Sequence, residues 1–360
     1  MLKMKRIFFI GVILLVFIAG CKNNTNQENI EEGITQESLE GVGLCKDYYY
    51  IEASNEIYAM LTGNKPASIK RAAFLLEWAF LRGNIEYVEF CNEISVYSQR
   101  LKKFISDARI SHYRTAGNYA LFEFFTKPGW MNDHKPFTYD FEDFTGKEDY
   151  TKQFLTKLLR THTGQCRSLP LLYKILADEI GAEAYLAQAP NHLYIKHLSE
   201  ENQWVNVELT NGSLSSDAFI ISSLGISAEA IRNGVYLYAM DEKETLAFLL
   251  QELTHGYQRL FGEDEFVIFC CDTSLEHFPN NMPALFTKHN TSRTIGVEYL
   301  NNNSMIPDST AKALHARWKA TQNRIEELGF RDMPDGLYQE WLISLESEKR
   351  KQAQSKYLNR

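Results

Sequence analysis

Apolar residues recur at helical spacing through most of the first third of the chain. In "PASIKRAAFLLEWAFLRG", Ile69, Ala72 and Leu76 fall on one face of a helix, with a proline at the start and a glycine at the end. The same spacing continues in "IEYVEFCNEISVYSQRLKKFISDAR" and "SHYRTAGNYALFEFFT". We therefore predict a helical N-terminal region over residues 45–127.

The periodicity changes in the middle of the chain, over residues 128–226. A loop-like stretch rich in aromatic residues is followed by "YTKQFLTKLLRTHTG", a predicted helix that ends at Gly164. A second predicted helix carries Cys166 in its first turn and ends at Gly181. "AEAYLAQAPNHLYIKHLS" and "QWVNVELTNG" then alternate apolar and polar residues, which predicts strands joined by a polar turn into a hairpin. This region is predicted to be a mixed α and β core.

Helical spacing returns in residues 227–360. Four candidate helices lie in "SAEAIRNGVYLYAM", "DEKETLAFLLQELTHGYQRLFG", "DEFVIFCCDTSLEHFPNN" and "DSTAKALHARWKATQNRIEELG", and a further helix closes the chain. Two paired helices followed by "HFPNN" resemble a tetratricopeptide repeat. The predicted fold class is α+β, with helical regions on both sides of the core.

The first 44 residues follow a different pattern. A basic start, "MLKMKR", precedes the apolar run "IFFIGVILLVF" and then "IAGC", which resembles a bacterial lipoprotein signal. This resemblance implies a signal peptide over residues 1–20, lipid on Cys21 and a polar tether over residues 21–44. The body would then be anchored by lipid to a membrane of the cell envelope, either in the periplasm or at the surface. The alternatives are an ordinary signal peptide or a short N-terminal anchor.

Composition and cysteine spacing argue against two kinds of binding function. The net charge of −8 and the pI of about 5.7 argue against a nucleic-acid-binding protein. The spacing of the six cysteines matches no metal-binding motif, and a cluster of histidines at metal-ligand spacing is lacking as well. We therefore predict neither a metal site nor a nucleic-acid partner.

Cys166, His192 and Glu208 are the candidate catalytic residues. A thiol at the start of a helix faces unsatisfied N–H groups and the positive end of the helix dipole, which favour the thiolate. His192 begins one strand of the predicted hairpin, and Glu208 lies on the polar face of the next strand. A histidine opposite a carboxylate is stabilised as imidazolium and could activate the thiol. His162, four residues before Cys166, is the main rival imidazole.

Together, "TGQCRSLPLLYKILADEIGAEA", "PNHLYIKH" and "WVNVELTNG" resemble the transglutaminase-like superfamily, most clearly over residues 140–225. The branch most similar to this chain is bacterial and has tetratricopeptide-type helices after the core. The resemblance implies a papain- or transglutaminase-like core, with a cysteine helix packed on an antiparallel sheet. It assigns the nucleophile to Cys166, the base to His192 and the acid to Glu208, four residues after Trp204. The superfamily's usual acid is aspartate.

Two site assignments remain open in the sequence. Asn206 is an alternative orienter of His192, because it lies two residues before Glu208 on the same strand face. The backbone N–H of Cys166 is a natural oxyanion donor, and a second donor could be the side chain of Gln165 or an aromatic residue of the loop at 128–150.

The function implied is that of a cysteine-dependent hydrolase or acyltransferase acting on peptide or amide bonds of a peptide or protein substrate. No cofactor is implied, because a thiolate–imidazolium pair needs none. The alternative is a non-catalytic binding or scaffold lipoprotein with a degenerate core.

Overall fold

The computed structural model describes four ranges of the chain: residues 45–143, 146–303, 305–331 and 335–358. The predicted signal peptide, Cys21 and the tether lie outside these ranges. Within them, no helix combines the length and the apolar character needed to cross a membrane.

The N-terminal region is helical, as predicted. Asp47 and Ser68 cap its first two helices, since their side chains accept hydrogen bonds from the backbone N–H groups of Tyr49 and Arg71. The four helices are α1 (Tyr48–Leu61), α2 (Ile69–Phe80), α3 (Tyr87–Asp107) and α4 (Ala116–Thr126).

The central region combines helices with two small sheets. Strand β1 (Thr138–Tyr139) leads through α5 (Leu155–Thr161) to β2 (Thr163–Gly164), and these two strands pair in parallel. Helix α6 (Ser168–Ile180) follows. A four-stranded antiparallel sheet then forms in sequential order from β3 (Tyr185–Ala189), β4 (His192–Leu198), β5 (Trp204–Glu208) and β6 (Ser213–Ser215).

The C-terminal region is again helical. Its helices are α7 (Asp217–Leu224), α8 (Ala228–Arg232), α9 (Glu242–Phe261), α10 (Glu265–His277), α11 (Met282–Asn302), α12 (Ser309–Glu327) and α13 (Asp335–Leu358). From α9 to α12, each helix packs against the next. The α+β class with helical flanks is therefore confirmed, while the tetratricopeptide likeness stays a prediction.

The helix predicted to run through Gly164 was too long. It ends at Thr161, and His162 adopts a left-handed conformation with φ of 55°. The chain then pairs with β1, because Thr138 N–H donates to the His162 carbonyl at 2.9 Å and Asp140 N–H donates to the Gly164 carbonyl at 2.7 Å. Tertiary pairing thus overrides the helical spacing of this segment.

Helix α11 was missed in the sequence, and the helix predicted from "SAEAIRNGVYLYAM" is much shorter than expected. Helix α11 buries polar residues such as Thr287, Thr291 and Ser292, which weakens the apolar period that sequence analysis depends on. After α8, the chain lies along the open edge of β3: Leu237 N–H donates to the Gln188 carbonyl and Met240 N–H to the Leu186 carbonyl. This segment covers an otherwise unpaired sheet edge.

One hydrophobic cluster joins the three regions and holds the cysteine turn in place. It includes residues of α1 to α4, α6, the sheet, α9 and α10. Leu172 of α6, Ile195 of β4 and Leu253 of α9 are all at most 1 % exposed within it. Helix α6 contacts β3 and β4 as well as α3, α4 and α5, and the Asn191 carbonyl just before β4 lies 3.9 Å from Cys166 Sγ at the helix's N-terminal end.

Candidate active site

Cys166 lies in the turn between β2 and α6. Gln165 N–H donates to the Ser168 hydroxyl at 3.0 Å, and the Gln165 carbonyl accepts from Leu169 N–H at 3.1 Å. The helical hydrogen-bond pattern thus already involves Gln165, so Cys166 stands at the N-terminal end of α6, although the regular helix begins two residues later. The thiol is partly buried against the main hydrophobic cluster.

Gly164 allows this turn to pack closely. A Cβ atom at this position would lie 2.8 Å from Leu158 Cδ1, 2.8 Å from Ser168 Oγ and 3.2 Å from Leu169 Cγ. All three neighbours are buried parts of the scaffold that holds Cys166. Only glycine therefore fits without displacing the cysteine turn.

We expect Gly164→Ala to lower the free energy of unfolding by about 1–3 kcal/mol, the usual effect of overpacking a buried site. Urea unfolding of the full chain measures this change. Gly129→Ala is the matched control, because a Cβ atom at Gly129 meets nothing within 4 Å. Equal losses for the two variants would contradict the close packing of the turn.

His192 and Glu208 meet across the predicted hairpin. The register pairs Ile195 with Val207, so the first residue of β4 lies diagonal to the last residue of β5. The His192 Nε2 atom lies 2.5 Å from Glu208 Oε2, and both side chains are mostly buried. The structure therefore brings together the imidazole and the carboxylate that the sequence had proposed as partners.

The electrostatics of this pair keep the imidazole charged. Burial alone would lower the pKa of His192, but the charges of Glu208 and Cys166 and the hydrogen bond with Glu208 outweigh burial and raise this pKa to about 10. Burial alone would raise the pKa of Glu208, but the charge of His192 and its hydrogen bond lower it overall. Since Nε2 is occupied by Glu208, Nδ1 is the nitrogen left for Cys166.

Thr210 holds the carboxylate of Glu208 in place. The Glu208 Oε1 atom accepts hydrogen bonds from the backbone N–H of Thr210 at 2.9 Å and from its hydroxyl at 2.6 Å. These bonds fold the longer side chain back and leave Oε2 for His192. Sequence analysis missed Thr210, although a hydroxyl residue two positions after a carboxylate is a known local hydrogen-bonding pattern.

The side-chain amide of Asn206 makes its hydrogen bonds away from His192. Its Nδ2 atom donates to the Ser215 carbonyl at 3.1 Å and to Asp217 Oδ1 at 2.7 Å. Of the two candidate orienters, the structure brings Glu208 to His192, and Asn206 instead ties β5 to the chain at the start of α7. The alternative role of Asn206 is corrected accordingly.

The rival imidazole, His162, is part of the scaffold. Its Nε2 atom lies 2.9 Å from the Tyr97 hydroxyl and its Nδ1 atom 2.5 Å from the Lys135 carbonyl, while its ring stacks on Phe137 at 4.4 Å. Burial lowers the pKa of His162. Both nitrogens are thus engaged by structural partners.

Three groups are candidates for the oxyanion donors that the sequence analysis expects. The backbone N–H of Cys166 donates to no acceptor among the described residues. The Gln165 side chain is buried, and its Nε2 atom donates to the Asp143 carbonyl at 2.9 Å, so it also ties the neighbouring loop to the cysteine turn. Tyr139 pairs with Gly164, two residues before Cys166. Burial and then the charges of Cys166 and Glu208 raise the pKa of Tyr139. Tyr139 belongs to the aromatic loop at 128–150, from which the sequence could not select a residue.

The five described cysteines are all free thiols, and they differ in their surroundings. Cys45, Cys270 and Cys271 are buried in the core, and burial raises the pKa of each. Cys166 differs from these three in being partly exposed and in having an imidazole as its neighbour.

Neither a protein-family model, nor a curated protein, nor a solved structure matches this chain.

Proposed function

We propose that this protein is an exported, lipid-anchored thiol hydrolase or acyltransferase with a transglutaminase-like core, acting on peptide or amide bonds. One observation carries the proposal: His192 and Glu208 form a buried pair, and the carbonyl of Asn191, the residue before His192, lies 3.9 Å from Cys166 Sγ, so three residues distant in the sequence lie together at the end of one helix. Such a nucleophile, base and orienting acid define a class of reaction independent of fold. Lipid on Cys21 would tether the enzyme to a membrane of the cell envelope.

In the first half of the reaction, the Cys166 thiolate attacks the carbonyl carbon of the amide. The C–N bond then breaks, and the His192 imidazolium gives its proton to the departing amine. A thioester between Cys166 and the acyl group remains. Throughout this step, Glu208 holds the imidazole ring in place and compensates its positive charge.

In the second half, neutral His192 takes a proton from water, and the resulting hydroxide attacks the thioester carbonyl. The C–S bond breaks, the carboxylic acid leaves, and the thiolate–imidazolium pair is restored. An amine in place of water would give acyl transfer instead. We favour hydrolysis, because water is always available as the acceptor and no feature of the sequence marks a site for a lysine acceptor.

The negative oxygen formed in both halves needs hydrogen-bond donors. The free N–H of Cys166 is the first donor in this proposal. The hydroxyl of Tyr139 is the second, because β1 pairs Tyr139 with Gly164, two residues before Cys166, and a neutral phenol can donate a hydrogen bond.

Thiol-dependent turnover is the expected result when the full chain is screened against a library of peptidyl aminomethylcoumarin amides. Cys166→Ala should reduce any hydrolysis found by at least about 1000-fold, because the nucleophile is lost. Cys91→Ala is the matched control and should leave the rate unchanged, since Cys91 is a partly exposed thiol on α3 and not one of the three proposed catalytic residues. Incorporation of dansylcadaverine into casein, measured in parallel, reports transfer. Hydrolysis that persists in Cys166→Ala would contradict the proposal.

A further inference from the structure

A cavity of about 430 Å³ lies beside the triad, between the β3–β4 turn and the helices α9 and α11. Arg167, Asn191 and His192 line its near end. These residues surround Cys166: Arg167 is its neighbour in the chain, and the Asn191 carbonyl lies 3.9 Å from Cys166 Sγ. A group bound in the cavity would therefore be next to the thiol. The volume falls in the range typical of ligand sites.

The far wall of the cavity is apolar and largely aromatic. Phe286 and Phe330 meet edge to face, with ring centroids 4.7 Å apart and planes at 78°. Their neighbours on this wall are Tyr236, Phe248 and Met282. A wall of this kind favours a large aliphatic or aromatic group.

Gln188 adds a polar group to the same cavity. The residue is 5 % exposed, and neither its Oε1 nor its Nε2 atom has a hydrogen-bond partner among the described residues. Buried polar groups normally have partners, and leaving both ends of a carboxamide without one is costly. A ligand amide would satisfy both ends, because its N–H donates to Oε1 and its C=O accepts from Nε2.

The charges around the cavity favour a neutral ligand. Arg167 and the His192 imidazolium are cations at the near end. The Arg167 Nη1 atom forms an ion pair with Glu252 and lies 2.8 Å from His255 Nδ1, and His192 is paired with Glu208. The two carboxylates therefore already compensate both positive charges. A free carboxylate on the ligand would gain little here, whereas an uncharged amide has Gln188 as a partner.

We propose that this cavity binds the substrate segment next to the scissile bond, and that it selects an aromatic or large aliphatic side chain whose adjoining peptide amide pairs with Gln188. The assignment to a substrate rests on the proposed function. The selection of an uncharged amide with an apolar group rests on the cavity itself.

Binding of N-acetylphenylalaninamide to the full chain tests this proposal, with Cys166→Ala as the background so that no thiol chemistry occurs. Ligand-detected NMR titration gives the dissociation constant. Adding Gln188→Leu should weaken binding about 10-fold, the effect of losing two neutral hydrogen bonds. The same substitution should raise the melting temperature without ligand, because it removes an unsatisfied buried amide. A merely structural glutamine would not give these two opposite changes.

Two reference ligands and one further variant complete the test. N-acetylglycinamide lacks the ring and 2-phenylethanol lacks the amide, so both should bind more weakly than N-acetylphenylalaninamide. Phe286→Ala should weaken binding of the phenylalanine compound and leave N-acetylglycinamide unaffected. Equal affinity of Gln188→Leu and its parent, or tighter binding of 3-phenylpropionate, would overturn the proposal. If the ligand binds as expected but the wild type shows no thiol-dependent turnover, the cavity assignment stands and the proposed function fails.

Discussion

Replacing His192 with alanine should slow the alkylation of Cys166 by iodoacetamide about 100-fold at pH 7, the lower end of the range for loss of a positioned acid–base group. The thiolate is the species that reacts. In the wild type, Glu208 and Cys166 raise the pKa of His192 against the effect of burial, so the imidazole is positively charged at pH 7. In the proposed mechanism this charge favours the reactive thiolate of Cys166. Alanine removes the charge. Mass spectrometry of the cysteine-containing peptides gives the rate at each site.

The chain provides internal controls for this measurement. Cys91 is a partly exposed thiol on α3, and its alkylation should be the same in both proteins. His112→Ala is the matched variant, because it removes an exposed histidine that lies far from Cys166 in the sequence. If Cys166 reacts equally fast with and without His192, the thiol is not activated, and a non-catalytic role becomes the better interpretation.

Local sequence features, together with the family resemblance, selected Cys166, His192 and Glu208 as candidates for a triad. Cys166 precedes an apolar helical repeat, His192 begins an alternating segment, and Glu208 ends the next one. Once these two segments form a hairpin, the register places the imidazole and the carboxylate side by side. The hairpin could be predicted because strand alternation and the short turn leave few alternatives.

The rest of the site depends on contacts between distant parts of the chain. Tyr139 is close to the triad because β1 pairs with β2, and two-residue strands leave almost no pattern in a sequence. The cavity next to the triad depends on α11, whose buried face contains threonine and serine in place of a regular apolar stripe. Neither the choice among the loop aromatics nor the cavity could therefore be predicted without the fold.

Glu208→Gln should lower the free energy of unfolding by about 2 kcal/mol near pH 6, the scale of a hydrogen bond to a charged group. The deficit should shrink as the pH rises. The folded-state pKa of His192 is raised to about 10 from an ordinary value of 6.5, so its contribution to stability is complete below pH 6.5 and is lost as the pH rises toward 10. The pKa of Glu208 is lowered, so its contribution is complete above its ordinary value of 4.5 and is lost as the pH falls through the folded-state value. The two contributions are complete together between about pH 4.5 and 6.5.

The pH dependence of the stability loss shows whether the loss comes from a broken ion pair or from a change in packing. Glutamine has nearly the same shape as glutamate and can keep the bonds to Thr210, so a loss of packing would be the same at every pH. The control is Glu229→Gln, the same substitution in the exposed ion pair with Arg331, for which we expect at most about 0.5 kcal/mol. Urea unfolding at pH 5, 6, 7, 8 and 9 gives both curves.

The Glu208→Gln variant should also change the rate at which Cys166 is alkylated. With glutamine at position 208, the imidazolium loses its compensating charge, so its pKa falls and the thiolate loses support at neutral pH. We expect Cys166 in Glu208→Gln to be alkylated more slowly than in the wild type but faster than in His192→Ala, where the imidazole itself is absent. Thr210→Val, which removes only the 2.6 Å hydroxyl bond to Glu208, should fall between the wild type and Glu208→Gln. A stability deficit that does not change with pH, together with an unchanged alkylation rate, would mean that Glu208 holds the hairpin together without orienting the imidazole.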